Sequence, residues 1–421
     1  MNPSIPSEKR SLPLAPKATW PRYQVNGQLD LARLRAEAHA LAEEIRPRLE
    51  PPRRGRAHLL HRLASYRTAA QNYLENRRRA AVGREDLLPL LFIWTTHRPC
   101  NFRCSYCDDH RGAKYPELDG HGKLDTARGA RLLEVMRTRT PSVYFAGGEP
   151  TLRKDLPSLV RRARDLDYFP IVLNTNGSRF HDLLRRPEWS TFLADVDVLV
   201  VSLDALDLEL LAKMWVTGSP EDVLRNLFVL RELAAEQRVK LMVNTVIQPG
   251  LVAEARRVLD LATELGIWFC PVPRNVGAGI DPALLTDPEY HAFVAELLRR
   301  KRAGARISGS LRMNQRLLSA DRLECRNALK PHLDHDGRLP WPCKSSVNVA
   351  PEWIDVLAYD HVDQVWAEAT RRRDPRGFHG PGADQCGGDC CWAQNYVTDE
   401  YAHGLVEPLG LMRAVVEFLR A

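Results

Sequence analysis

The sequence predicts an α/β fold built on a parallel sheet, and three observations carry that expectation. Six short β-like runs, LLFIWT, SVYFAG, PIVLNT, DVLVVSL, KLMVNTVI and IWFCPV, recur between residues 90 and 272. Helical patterns separate several of them: TARGARLLEVMRTR, LPSLVRRARDL, SPEDVLRNLFVLRELAAEQ and LVAEARRVLDLATELG. The alternation starts at Leu90 and stops near Ala283. Strands that alternate with helices need crossover connections, which are right-handed and yield a parallel sheet. Periodicity is satisfied equally by a doubly wound sheet and by one curled into a partial barrel. In both, the carboxyl ends of the strands carry the site.

Before the alternation, residues up to Arg22 are rich in Pro and polar side chains and read as a flexible leader. Leu31, Leu34, Ala38, Leu41 and Ile45 follow at helical spacing. Pro47, Pro51 and Pro52 then break the chain. Leu59, Leu63, Tyr66, Ala70, Tyr73 and Leu74 form a second stripe of the same period, expected to pack against the body of the protein. Between Arg53 and Arg84 stand nine arginines and one acid, Glu75. Two readings follow: a solvated helix capping the sheet, or a docking surface for phospholipid head groups or an acidic peptide. No strands are predicted here, which weighs against a winged-helix peptide-recognition module.

After Ala283 the pattern changes. A helix, TDPEYHAFVAELLRRKRAG, leads into a Cys-containing region from Arg322 to Trp392, and a last helix is expected near Leu409–Leu419.

A net charge of +7 over 421 residues is moderate and gives no reason to expect a nucleic-acid partner. The Pro-rich, charged start lacks an apolar signal region, and the strongest apolar run, LLPLLFIW, is far short of the roughly 20 residues of a spanning helix. A cytoplasmic location follows, with peripheral membrane contact as the variant the arginine-rich helix allows. Of nine cysteines, eight fall into two groups. In a reducing compartment such grouping points to metal sites more than to disulfides.

The first group lies in THRPCNFRCSYCDDH, directly after the first β-like run. Cys100, Cys104 and Cys107 have C-x3-C-x2-C spacing, so three thiolates can wrap one small cluster. Three thiolates on a four-iron cluster leave one iron without a protein ligand. A structural zinc is the competing reading, but zinc favours C-x2-C pairs and four protein donors. The next β-like run ends in SVYFAGGEPTL, with Gly147, Gly148, Glu149 and Pro150 at the strand end. Glycines there let the backbone approach a ligand closely, and Pro150 is placed to open a helix.

These two motifs in order, with aromatic Tyr106 before the last Cys, resemble the radical S-adenosylmethionine (SAM) family. The resemblance covers roughly Leu90 to Pro273. It implies a partial (β/α)6 TIM-like barrel, here with a helical N-terminal extension and a small Cys-rich C-terminal α+β extension. It further implies a catalytic [4Fe-4S] cluster whose open iron chelates SAM. Reduction then yields a 5′-deoxyadenosyl radical that takes hydrogen from a substrate, the electron coming from a partner such as flavodoxin or ferredoxin. By the same resemblance Asn174, Asn176, Ser202, Asp204 and Asn244 sit where ribose and carboxylate bind. A plainer account makes Asn176-Gly177 a turn and Asp204 an N-cap. Cys270 reads as a buried thiol.

The second group comprises Cys325, Cys343, Cys386, Cys390 and Cys391. Asp336-Gly337 signals a hairpin that would bring Cys325 and Cys343 together, while GADQCGGDCCW returns the other three. The arrangement resembles the twitch domain, a shortened SPASM extension, and so implies an auxiliary [4Fe-4S] cluster. Cys386 and Cys390 depart from the usual spacing and Cys391 is adjacent, leaving either of the last two as ligand. A four-thiolate zinc is the alternative.

The expected organisation is therefore 1–88, a basic helical extension; 89–283, the barrel; and 284–421, the auxiliary-cluster extension. The expected activity is radical chemistry on a small-molecule or lipid-like substrate. Maturation of a ribosomally made peptide is the second reading, and a non-catalytic iron–sulfur electron carrier the third.

Overall fold

The computed structural model describes residues 23–25, 28–52, 55–107, 122–217, 220–276, 279–323, 326–341, 352–372 and 392–407. A short ribbon of β1 (Gln24–Val25) and β2 (Gln28–Leu29) precedes α1 (Leu31–Ile45). The Asp30 side chain caps α1 by accepting from Arg33 N, and Leu34, Ala38, Ala42 and Ile45 are buried along one face as the period requires. α2 (Gly55–Ala81) is a single long helix, so no strands stand where the arginines cluster.

All six predicted runs are strands: β3 (Leu91–Thr95), β4 (Ser142–Ala146), β5 (Ile171–Thr175), β6 (Val198–Ser202), β7 (Lys240–Ile247) and β8 (Trp268–Pro273). They lie side by side in sequence order, each parallel to the next. Crossovers include α3 (Thr126–Arg137), α4 (Leu156–Asp165), α7 (Leu208–Trp215), α8 (Pro220–Gln237) and α9 (Val252–Leu265), while the short α5 (Phe180–Leu183) and α6 (Phe192–Asp195) fill the β5–β6 connection. The sheet curls into the expected partial barrel. Phe92, Trp94, Phe145, Leu173, Leu199, Val201, Val243 and Phe269 pack outward under the helices. Val172, Val198, Val200, Met242 and Trp268, one residue out of phase, form a separate apolar cluster on the lumen face.

Beyond the barrel run β9 (Asn275–Val276), β10 (Gly279–Ile280), α10 (Pro282–Leu285), α11 (Pro288–Arg302) and α12 (Leu311–Leu318). The sheet then gains a seventh strand that six-run counting misses. β11 (His332–Leu333) pairs parallel with β3, His332 against Ile93 and Leu333 against Trp94. The predicted hairpin at Asp336-Gly337 is thereby corrected. The turn is present, with Asp334 N to Arg338 O at 2.9 Å, but its arms part company. β12 (Arg338–Trp341) pairs with β13 (Glu352–Asp355), and β11 takes the edge of β3. That edge would otherwise leave ladder groups unpaired; Ile93 N reaches Pro331 O at 3.0 Å and Leu90 N reaches Leu329 O at 2.8 Å. Cys325, Cys343, Cys386, Cys390 and Cys391 lie outside the described residues, as does the helix expected at Leu409–Leu419. Two helices of the extension, α13 (Val362–Arg371) and α14 (Ala393–Val406), were not anticipated.

The second correction concerns α2, which is turned the opposite way to its apolar pattern. Its polar residues His61, Ser65, Asn72 and Asn76 are buried, while Leu59, Leu60, Leu63, Tyr66 and Leu74 are exposed. The reason is what α2 crosses. Ser65 Oγ donates to Pro141 O at 2.9 Å, Asn72 Nδ2 to Pro89 O at 3.0 Å and Arg139 O at 2.6 Å. Asn76 Nδ2 donates to Leu88 O at 2.9 Å while its Oδ1 accepts from Leu88 N at 2.7 Å. These backbone groups lead into the amino ends of β3, β4 and β5, where no strand partner satisfies them, so polar side chains must. Among the described residues no helix is long and apolar enough to cross a membrane.

Candidate active site

The thiol loop leaves β3 beside the end of β4. Thr96 N and Thr96 Oγ1 both donate to Ala146 O, at 2.8 and 3.0 Å. Gly148 N then reaches His97 O at 3.0 Å and Glu149 N reaches Pro99 O at 2.9 Å. A Cβ on Gly148 would stand 2.1 Å from Arg98 O; one on Gly147, whose φ is +151°, would stand 2.4 Å from His97 O. Only glycine permits two backbones to run this close. The glycine pair therefore seats Cys100 against the end of β4. Buried Arg153 holds the loop from its other side, donating to Thr96 O and Leu124 O, each at 2.8 Å.

Cys100, Cys104 and Cys107 are free thiols, each partly exposed. Phe102 N points at Cys100 Sγ at 3.4 Å, and Cys107 N closes a turn on Cys104 O at 3.1 Å. Burial pushes the Cys100 thiol up to about 12 and raises Cys104 as well, with the charge of Cys107 acting in the same direction on both. Thiols in such surroundings are poor free nucleophiles, and a bound cation offsets the cost of their thiolates. No three His, Cys, Asp or Glu side chains among the described residues converge on one ion position. A multi-iron cluster holds its thiolates further apart than a single tetrahedral ion does.

Tyr106 fixes the far end of the loop. Its hydroxyl donates to Asp204 Oδ2, which also accepts from Trp215 Nε1 at 2.7 Å, while Asp204 Oδ1 accepts from Val246 N at 2.7 Å. Trp215 Nε1 lies 3.0 Å from Tyr106 Oη, and its ring stacks on Phe102 with centroids 5.4 Å apart. Arg103 N and Ser105 N bond to Trp215 O and Met214 O at 2.9 and 3.0 Å. Asp204 is thus no N-cap; Asp207 caps α7, accepting from Glu209 N and Leu210 N. Burial raises the Asp204 carboxyl and its three donors oppose the rise. Asp204 and Tyr106 position the loop from within the protein.

Glu149 is likewise spoken for. Its Oε1 accepts from Thr151 N, Thr151 Oγ1 and Thr175 Oγ1 at 2.9, 2.6 and 2.7 Å, and Oε2 accepts from Asn176 N at 2.7 Å. Burial raises its carboxyl, against those four donors. Pro150 opens a 3-10 turn capped by Glu149. Asn176 Nδ2 donates to Asn101 Oδ1 at 2.9 Å, beside Cys100. The ends of β3, β4 and β5 are tied into one surface by these bonds.

Facing that surface are the groups that remain available. Asn174 Oδ1 is buried and has no hydrogen-bond partner. Ser202, Asn244 and Cys270 are level with one another across β6, β7 and β8. Cys270, read from sequence as a buried thiol, is largely buried on this lumen row; burial pushes its thiol up to about 11, and a hydrogen bond with Ser308 opposes the rise. His332 Nε2 meets Thr95 Oγ1 at 3.0 Å on the opposite side. Sequence reasoning missed Trp215, Arg153, Asn101 and His332. Trp215 is more than a hundred residues from Tyr106, and no local signal pairs them; the burial of Arg153 likewise depends on Thr96 and Leu124, distant in the chain.

Residues 94–262 match the Radical SAM superfamily. The chain is 34% identical over 95 residues to Fe-coproporphyrin III synthase of Methanosarcina barkeri, covering 22% of each. It is 34% identical over 158 residues to GTP 3′,8-cyclase of Streptomyces coelicolor, covering 36% of this chain and 43% of that one. A S-adenosylmethionine-dependent nucleotide dehydratase of Selenomonas ruminantium is 29% identical over 205 residues, 46% of this chain and 71% of that one. The chain thus spans less than half the length of either of the first two. In fold it is similar to Streptococcus suis SuiB bound to S-adenosylmethionine, with a TM-score of 0.51 and 18% identity over 66% of both chains. It is similar also to anSMEcpe with bound AdoMet, with a TM-score of 0.51 and 15% identity over 77% of this chain and 99% of that one. At such identities the likeness is one of fold.

Proposed function

We infer that this chain, a radical SAM enzyme through its domain at residues 94–262, reductively cleaves SAM to a 5′-deoxyadenosyl radical that takes hydrogen from a small-molecule or lipid-like substrate. The observation that carries this is the seating of the Cys100–Cys107 loop on Gly147-Gly148, opposite an unpartnered Asn174 acceptor. In this reading Cys100, Cys104 and Cys107 hold a [4Fe-4S] cluster, and residues 89–283 are the catalytic core between two extensions. Bound there, the cluster supplies the electron that breaks the S–C5′ bond of SAM. The chain's own residues hold and shield. The backbone of Gly147-Gly148 lines the ligand, Asn174 accepts from it, and Asn176, Ser202 and Asn244 offer polar contacts to ribose and carboxylate. Glu149, Pro150, Asp204 and Tyr106 keep the thiol loop in place.

The lumen supports the substrate class. Its floor is apolar, from Val172, Val198, Val200, Met242 and Trp268, and its rim is polar. That suits a molecule with an apolar body and a polar reacting end. Purified without oxygen and reduced through flavodoxin or ferredoxin, the protein is expected to release 5′-deoxyadenosine and methionine. Iron–sulfur absorbance with no SAM cleavage under strong reduction would instead mark an electron carrier.

The auxiliary cluster belongs to the same reading, with four of Cys325, Cys343, Cys386, Cys390 and Cys391 as ligands. Reconstituted protein should then bind about eight iron atoms per chain, four per cluster. Replacing Cys100, Cys104 and Cys107 together should leave about four. Stoichiometric zinc, with iron confined to the first site, would establish a structural zinc instead.

A further inference from the structure

We propose that α2 docks the protein on an anionic phospholipid surface, independently of the radical chemistry. The helix carries its polar side inward, and among the described residues its outer face stays exposed, although Tyr66 meets the ring of Phe169 edge-on at 5.6 Å. Leu59 is 55% exposed, Leu60 54%, Leu63 49%, Tyr66 49% and Leu74 58%. From Leu59 to Leu74 this row runs about 22 Å at the rise of an α-helix. Single exposed leucines are ordinary, but five large apolar side chains on one face of one helix mark an interaction surface.

Charge selects the occupant. Arg67, Arg77 and Arg78 are exposed along the same face. Arg67 and Arg77 form no ion pair with any described residue, and Arg78 has only Glu75 at 3.8 Å. Glu75 is the one acid of the helix and is shared with Arg79 at 3.0 Å. A second copy presenting this face would bring no carboxylate to Arg67 or Arg77 and would bury them unneutralised. A bilayer boundary meets every demand: acyl chains receive the leucines, and phosphates at head-group depth meet the guanidinium groups. Because α2 lies across the amino ends of β3–β5, docking leaves the thiol loop and the barrel mouth facing away from the lipid. The contact is a tether rather than a substrate gate.

The test is flotation of the full, cluster-loaded chain with vesicles of phosphatidylcholine alone and of phosphatidylcholine with phosphatidylglycerol. Binding is expected to the anionic vesicles and to fall as salt rises. The triple change Arg67→Gln, Arg77→Gln, Arg78→Gln should weaken it by roughly 100-fold at low salt, from about fivefold per arginine near an anionic surface. Leu59→Ser, Leu63→Ser, Leu74→Ser should also abolish it; these side chains are exposed, so thermal unfolding and SAM cleavage should match wild type. The proposal is overturned by absence of vesicle binding, by equal binding to neutral vesicles, or by wild-type binding of either variant. A self-association that the leucine changes abolish, without vesicle binding, would assign the face to a second copy. Binding to polyglutamate but not to vesicles would assign it to an acidic polypeptide.

Discussion

Cys104→Ala is expected to bring release of 5′-deoxyadenosine from the reduced protein down to the level of protein-free controls. The change deletes one sulfur from a half-buried position packed at the edge of the core. The loop keeps its other attachments: Tyr106 to Asp204, Arg103 and Ser105 to the end of α7, and Thr96 to Ala146. The fold should therefore survive, and circular dichroism and thermal unfolding should show it. What is lost is coordination, since two thiolates do not hold a cluster with one open iron. Iron content should fall by about four atoms per chain. Undiminished SAM cleavage by this variant would refute the assignment of the cluster to this loop.

Gly148→Ala tests the same site without touching a ligand. The new methyl would lie 2.1 Å from Arg98 O and 2.4 Å from Pro99 O, both backbone atoms that no side-chain rotation can clear. Either the thiol loop moves off β4 or the strand end distorts, at a cost of about 3 kcal/mol, the upper end for overpacking. Thermal stability should drop and cluster retention with it, because Cys100 follows the displaced backbone. Gly83→Ala is the matched control. Nothing lies within 4 Å of a Cβ there, and its φ of +72° limits the loss to about 1 kcal/mol of left-handed strain. Equal stability and equal iron in the Gly148 and Gly83 variants would mean that the glycine pair does not seat the loop.

Much of the barrel was legible because its signals are local. A buried parallel strand needs a run of apolar residues, and each of the six runs becomes a strand within about two residues of its expected ends. The thiol loop and the strand-end glycines were legible for a related reason: their chemistry lies within a few consecutive residues. Asp204 shows where this stops. Its sequence neighbourhood offers an N-cap, yet its carboxylate is claimed by Tyr106, Trp215 and Val246, partners from three different elements.

α2 and β11 mark the same boundary at the level of whole elements. The apolar period of α2 is real, but which face of a helix turns inward depends on what it meets. Here it meets unpaired backbone carbonyls, and leaving those buried without donors costs more than exposing leucines. For His332–Leu333, two residues carry too little pattern to be read as a strand, and the open edge of β3 made them one. The sequence by itself determined the order of strands and helices, the three thiols and the glycines that admit them. The tertiary structure alone decided which polar groups are spent inside the protein and which face outward, because hydrogen bonds must be completed between segments far apart in the chain.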